Sequence, residues 1–137
     1  MSLIYDILDQ YKTSDKDAVM FDIDDTLISS ANGGIIFETL KILRRARKNG
    51  YKIVIITARS PDSAEYTSTQ LGMAGIPYDT LIFSPAQLKG QVKRTTGYRY
   101  VLSVGDLPTD CTDSIFSLKL PGPVDSTTGL TGPTTPR

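Results

Sequence analysis

Two rhythms of apolar and polar positions run along this chain. Leu3, Ile4, Ile7 and Leu8 recur at helical spacing and predict a leading helix over residues 2–12. Ala18-Val19-Met20-Phe21 is instead a compact apolar run that stops abruptly at Asp22-Ile23-Asp24-Asp25-Thr26. That pattern reads as a buried strand reaching the edge of a sheet. Asn32-Gly33-Gly34 marks a turn. The clearest helix covers 36–49: Ile36, Leu40, Leu43 and Ala46 line one face, and Lys41, Arg44, Arg45 and Lys48 the opposite one. Gly50 follows as its C-terminal cap. Ile53-Val54-Ile55-Ile56 is a β-branched strand closed by Thr57-Ala58-Arg59. Ser60-Pro61 then reads as the cap and first residue of a helix running to about Met73, bounded by Gly72 and Gly75. The grammar repeats with a strand at 81–83, a helix opened by Ser84-Pro85 and closed by Gly97, and a strand at 100–104 ending in Gly105-Asp106. A last short strand is expected over 115–120.

Strands alternating with helices predict an α/β fold of three layers, Rossmann-like, with a central parallel sheet covered on both faces. Residues 1–120 form the single expected domain. Beyond Pro121 the chain is rich in Pro, Gly and Thr, and 121–137 is expected to be an extended or disordered tail. In open parallel sheets ligands bind at the carboxyl ends of strands. Asp22, Asp24, Thr57 and Asp106 all fall there.

Composition narrows the chemistry. The 137 residues contain no His, which excludes a Ser-His-Asp triad, phosphohistidine chemistry and His-ligated zinc. A single Cys, Cys111, excludes an internal disulfide and a cysteine zinc cluster. It also fails as a Cys-x5-Arg phosphatase nucleophile, because Ser117 stands where Arg is needed. No Gly-Lys-Ser/Thr tripeptide occurs, so a Walker-type loop is absent. What remains is carboxylate, 13 Asp against 2 Glu. Lys plus Arg equals Asp plus Glu at 15 each, so no net field argues for nucleic acid or a membrane. The start of the chain lacks the basic and apolar pattern of a signal peptide, and no apolar stretch approaches the ~20 residues of a bilayer span. A cytoplasmic location is the expectation.

Asp22 and Asp24, two residues apart on an extended chain, lie on the same side of it. With Asp106 arriving from a neighbouring strand they offer hard oxygen ligands suited to Mg²⁺. The metal would keep Asp22 ionised and offset the charge of a bound phosphate. Asp24, beside other carboxylates, is placed to hold a proton for a leaving group. Nucleophile and acid in one loop suit a covalent two-step phosphoryl transfer. The plain alternative for Asp-x-Asp-Asp-Thr is a loop of Asx-turns. The hydroxyl after the next strand and the Gly-Asp-x-x-x-Asp after another weigh against it.

Phe21-Asp22-Ile23-Asp24-Asp25-Thr26-Leu27 resembles the first motif of the haloacid dehalogenase-like phosphatase superfamily. Ile55-Ile56-Thr57-Ala58-Arg59 is similar to its second, and Val104-Gly105-Asp106-Leu107-Pro108-Thr109-Asp110 to its fourth. Segments 76–83, 97–100 and 118–121 look most like its acid-phosphatase-type, class B-like branch. The resemblance implies Asp22 as nucleophile forming an aspartyl-phosphate, and Asp24 as general acid and then base. It implies Thr57 and the Ala58 N–H as phosphate donors, and Mg²⁺ on Asp22, the Asp24 carbonyl and Asp106. Asp110 would sit in a second shell, orienting a ligand or water. Ala58 replaces the Gly usual in that branch's second motif, a change that keeps the backbone donor. For the third-motif lysine, Lys89 in the first turn of its helix is nearer the strand end than Lys93, and is preferred.

The gaps from Asp22 to Thr57 and from Thr57 to Lys89, 35 and 32 residues, are each used up by one helix, one strand and a loop. Neither leaves room for a cap domain. An open site suits a phosphorylated substrate that is large or exposed, unless a partner subunit supplies a lid. The basic face at Lys41, Arg44, Arg45 and Lys48 is read as a solvated face whose cations suit a helix C-terminus, rather than as a nucleic-acid surface. A receiver-type phospho-acceptor domain fails, because its third strand would end in Asp and here it ends Phe83-Ser84-Pro85. Two alternatives stay open, a phosphatase of polynucleotide ends and a catalytically weak binding module of the same fold.

Overall fold

A computed structural model describes residues 2–123 and 125–133. In chain order the elements are α1 (Ser2–Gln10), β1 (Asp17–Phe21), α2 (Phe37–Lys48), β2 (Lys52–Thr57), α3 (Ala64–Met73), β3 (Thr80–Phe83), α4 (Lys89–Thr95), β4 (Arg99–Gly105), β5 (Phe116–Lys119) and β6 (Gly129–Thr131). The strands form one sheet in the order β3-β2-β1-β4-β5-β6. The first five are mutually parallel, and β6 pairs antiparallel with β5. The three-layer α/β fold expected from the sequence is present. No helix among the described residues is long and apolar enough to cross a membrane.

Alternating residues of the central strands feed two cores. Val19, Phe21, Ile53 and Ile55 face a large cluster built with Ile4, Ile7 and Leu8 of α1, Leu40, Leu43 and Ala46 of α2, and Leu71 of α3. Ala18, Met20, Val54 and Ile56 face the other side with Tyr100, where Val92 of α4 helps to cover them. Because β1 and β2 are buried on both faces they read as continuous apolar runs. Helix α4 inverts the usual pattern, since its fully buried side chains are Lys89 and Lys93, each 1% exposed. Their methylene stems sit in the protein while their ammonium groups reach polar partners.

Helix boundaries follow local chemistry. Ser60 accepts the Asp62 N–H at 3.2 Å with Pro61 next in line, and this single turn leads into α3. Helix α2 ends on Gly50 at φ 89°, which lets the Gly50 and Tyr51 N–H groups close back on the Arg47 and Ala46 carbonyls.

In the segment after Pro121, Gly129–Thr131 is stitched to the sheet edge as β6. Lys119 Nζ donates to the Thr127 carbonyl at 2.7 Å and the Asp125 carbonyl at 3.2 Å, while Gly132 lies directly against the Phe116 ring. A three-residue strand anchored by one lysine and a glycine contact has no hydrophobic alternation to announce it. Val124 and residues 134–137 of the expected tail lie outside the described residues.

Candidate active site

The chain leaves β1 towards β2 on one side of the sheet and later enters β4 on the other, so the strand order reverses between β1 and β4. That is where a parallel sheet opens a crevice at its carboxyl edge. Asp22 follows β1 there and Asp106 follows β4, and the Asp22 N–H donates to the Val104 carbonyl at 3.1 Å. Asp22, Asp24, Ala58, Arg59, Lys89, Asp106 and Leu107 line one cavity of about 250 Å³.

Lys89, the first residue of α4, places its ammonium 3.0 Å from Asp22 Oδ1 and 2.6 Å from Asp110 Oδ1. Burial works against its charge, but the two carboxylates outweigh that and hold Lys89 above its ordinary value. Lys93, one turn later, points elsewhere. It donates to Ser103 Oγ at 2.9 Å and to the Asp110 and Thr112 carbonyls at 2.8 and 2.6 Å, and burial pulls it down to about 8. Lys89 thus reaches Asp22, and Lys93 braces the loop that carries Asp110.

Carboxylate oxygens of Asp22, Asp106 and Asp110 lie within 4.8 Å of one another, and all three residues are buried. Burial and the charge of Asp110 push the Asp22 carboxyl well above the usual range, and burial also raises Asp106. One ammonium against three carboxylates leaves an excess of negative charge in a poorly hydrated place. An oxygen-only, acid-rich set of this kind fits a hard divalent cation. Asp110 stands inside this cluster with both oxygens engaged, one by Lys89 and the other by the Leu107 N–H at 3.1 Å. Gly105 lies so close to Asp110 that any side chain there would strike it.

Asp24 is partly exposed and turns towards α3. Arg59 grips it in a bidentate pair, Nε to Oδ2 at 3.0 Å and Nη2 to Oδ1 at 2.9 Å. The remaining guanidinium nitrogen donates to Gln70 Oε1 at 2.8 Å and Thr67 Oγ1 at 3.2 Å. Its neighbour is therefore a cation where the sequence suggests carboxylates. Arg59 is the residue that sequence reasoning quoted but gave no role; its only signal is its place directly after Thr57-Ala58. Thr57 ends β2 fully buried, with Oγ1 accepting the Arg59 N–H at 3.1 Å, and Ala58 is exposed on the cavity wall. Asp25 plays the plain structural part. At φ 58° it turns the chain, and its carboxylate accepts the Ser30 N–H at 2.9 Å and the Ser30 hydroxyl at 2.7–2.8 Å.

Residues 19–83 match the family model of the haloacid dehalogenase-like hydrolases. The match supports a haloacid dehalogenase-like hydrolase. It spans β1 to β3 and so includes Asp22, Asp24, Thr57, Ala58 and Arg59, whereas Lys89, Asp106 and Asp110 fall outside it. Among solved structures, a chain from "Structure of Pnkp1/Rnl/Hen1 complex" superposes with a TM-score of 0.63 at 21% identity. The alignment covers 72% of this chain and 42% of that one, so the chain spans less than half the length of that relative, and the likeness is one of fold. No curated protein sequence matches the chain. The buried carboxylates of Asp22, Asp106 and Asp110 stand at the carboxyl edge of the sheet, an oxygen donor set that fits a divalent metal.

Proposed function

We propose that the chain is a Mg²⁺-dependent phosphomonoester hydrolase without a cap domain, most like the acid-phosphatase-type branch, working through an aspartyl-phosphate on Asp22. The observation that carries this reading is the convergence of Asp22, Asp24, Ala58, Lys89 and Asp106 on one small cavity. Asp22, Asp106 and the Asp24 carbonyl would hold the metal, which supplies charge stabilisation to the phosphoryl oxygens when bound.

Asp22 uses one carboxylate oxygen to form the bond to phosphorus as the bond from phosphorus to the leaving oxygen breaks. Lys89, against Asp22, holds that carboxylate in place and adds positive charge beside the incoming phosphate. Thr57 and the Ala58 N–H, at the end of β2, orient the phosphate. Asp24 gives a proton to the departing oxygen, then takes one from the water that attacks the phosphorus of the aspartyl-phosphate, releasing inorganic phosphate and restoring Asp22. Each Asp24 oxygen accepts one hydrogen bond from Arg59 and keeps a second lone pair for that proton.

The test is a series of phosphate monoesters of graded leaving-group acidity. With Asp24→Asn, hydrolysis of alkyl phosphates is expected to fall about 10²–10⁴-fold, the usual contribution of a general acid. Hydrolysis of a strongly activated aryl phosphate should fall much less. An equal loss for both would remove Asp24 from the acid's role. One α-helix between β1 and β2 and one between β2 and β3 leave little chain for a cap, which supports a large phosphorylated substrate, polynucleotide ends included.

A further inference from the structure

A larger groove lies far from this cavity. Its volume is about 860 Å³, and Arg44, Arg47 and Lys48 of α2 face Gly72, Gly75, Ile76 and Pro77 across it. These residues sit where α2 and α3 end and where β2 and β3 begin, at the amino edge of the sheet. The six residues of β2, roughly 20 Å of strand, separate that edge from Thr57.

The three cations are exposed, and none makes an ion pair among the described residues. Their neighbours on α2 differ in this respect. Arg45 is held by Asp9 at 2.6 Å, and Lys41 lies 3.6 Å from Glu38. Service to the helix ends does not account for the three either. The terminal carbonyls of α2 already accept the N–H groups of Asn49, Gly50 and Tyr51, and those of α3 accept Ala74, Gly75 and Ile76. The facing wall is bare, since nothing lies within 4 Å of where a Cβ on Gly72 or Gly75 would be.

The kind of anion follows from the layout. Arg44, Arg47 and Lys48 occupy positions i, i+3 and i+4, about 6 Å along the helix axis. Two guanidinium forks and an ammonium in so short a span suit adjacent phosphates. Tracking a nucleic-acid strand calls for a longer stripe of charge with aromatic platforms, and no aromatic lines this groove. We propose that the groove is a second anion site that takes a compact compound bearing two or more adjacent phosphates.

The test uses the full chain and inorganic tripolyphosphate, titrated calorimetrically in metal-free, low-salt buffer. The wild type and Asp22→Asn are expected to bind one equivalent with the same affinity. A double variant, Arg44→Gln with Arg47→Gln, should bind at least tenfold more weakly while melting at the wild-type temperature. Absence of saturable binding by the wild type, or equal binding by the double variant, overturns the proposal. A parallel titration with single-stranded oligonucleotides decides the class of ligand. Affinity that climbs with strand length and exceeds that of tripolyphosphate would replace the compact anion by a strand.

Discussion

Lys89 ties two buried carboxylates, Asp22 and Asp110, and each of them depends on it for a counter-charge. Removing one partner of a buried ion pair typically costs about 3–5 kcal/mol, because the other is left uncompensated. Lys89→Met keeps most of the stem and removes only the charge. It should lower the unfolding free energy by about that amount in urea titrations, and reduce phosphatase turnover to background. The sequence pointed to Lys89 over Lys93 by its position one helical turn nearer the strand end. It gave no sign that Lys93 is also buried, because a lysine surrounded by polar helix residues looks solvated until its three oxygen acceptors are in place. Arg59 was silent for the same reason. Its grip on Asp24 and its anchors on Thr67 and Gln70 come from residues 35, 8 and 11 positions away, brought together only by folding.

Between elements, Asp17 is the main electrostatic tie. Fully buried at the start of β1, it accepts the Thr13 N–H at 2.6 Å and Arg99 Nε of β4 at 2.8 Å. The Arg99 hydrogen bond and the backbone donors outweigh burial and hold its carboxyl far below the usual range. A carboxyl depressed in the folded state adds stability above its unfolded value, about pH 3.9, and that stability is lost as pH falls through the lower folded value. Asp17→Asn should therefore flatten the fall in stability below about pH 4, read from urea midpoints at successive pH values. The strands and helices themselves were legible, because β1 and β2 are doubly buried and α2 is cleanly two-sided. The short β6 was not, and neither was the approach to the site of the segment that leads from β5 to it. A Cβ on Gly122 would lie 2.6 Å from Asp106 Oδ2, too close to be accommodated without a shift. Gly122→Ala is expected to raise the Mg²⁺ concentration for half-maximal activity about tenfold, equivalent to about 1.4 kcal/mol, with little change in melting temperature.

Across the whole molecule, function rests on one topological fact, the reversal of strand order between β1 and β4. It brings Asp22 beside Asp106 and Asp110 although more than 80 residues separate them in the chain. The strand-end positions of Asp22 and Asp106 could be read from the sequence, since an apolar run stops at each. Their mutual distances could not, nor could the commitment of Asp110 to Lys89 within the same cluster. Charge is also sorted by position, with the acids of the cavity at the carboxyl edge and the unpaired cations of α2 at the amino edge, in a chain of zero net charge. The central claim is that Asp22 attacks phosphorus with the help of a divalent cation. Its most direct test is hydrolysis of an aryl phosphate by wild type and Asp22→Asn, each with Mg²⁺ or with EDTA. The account predicts turnover that requires Mg²⁺ and falls at least about 10³-fold in Asp22→Asn, with the variant melting as a folded protein. Wild-type turnover by Asp22→Asn, or turnover indifferent to EDTA, would contradict it.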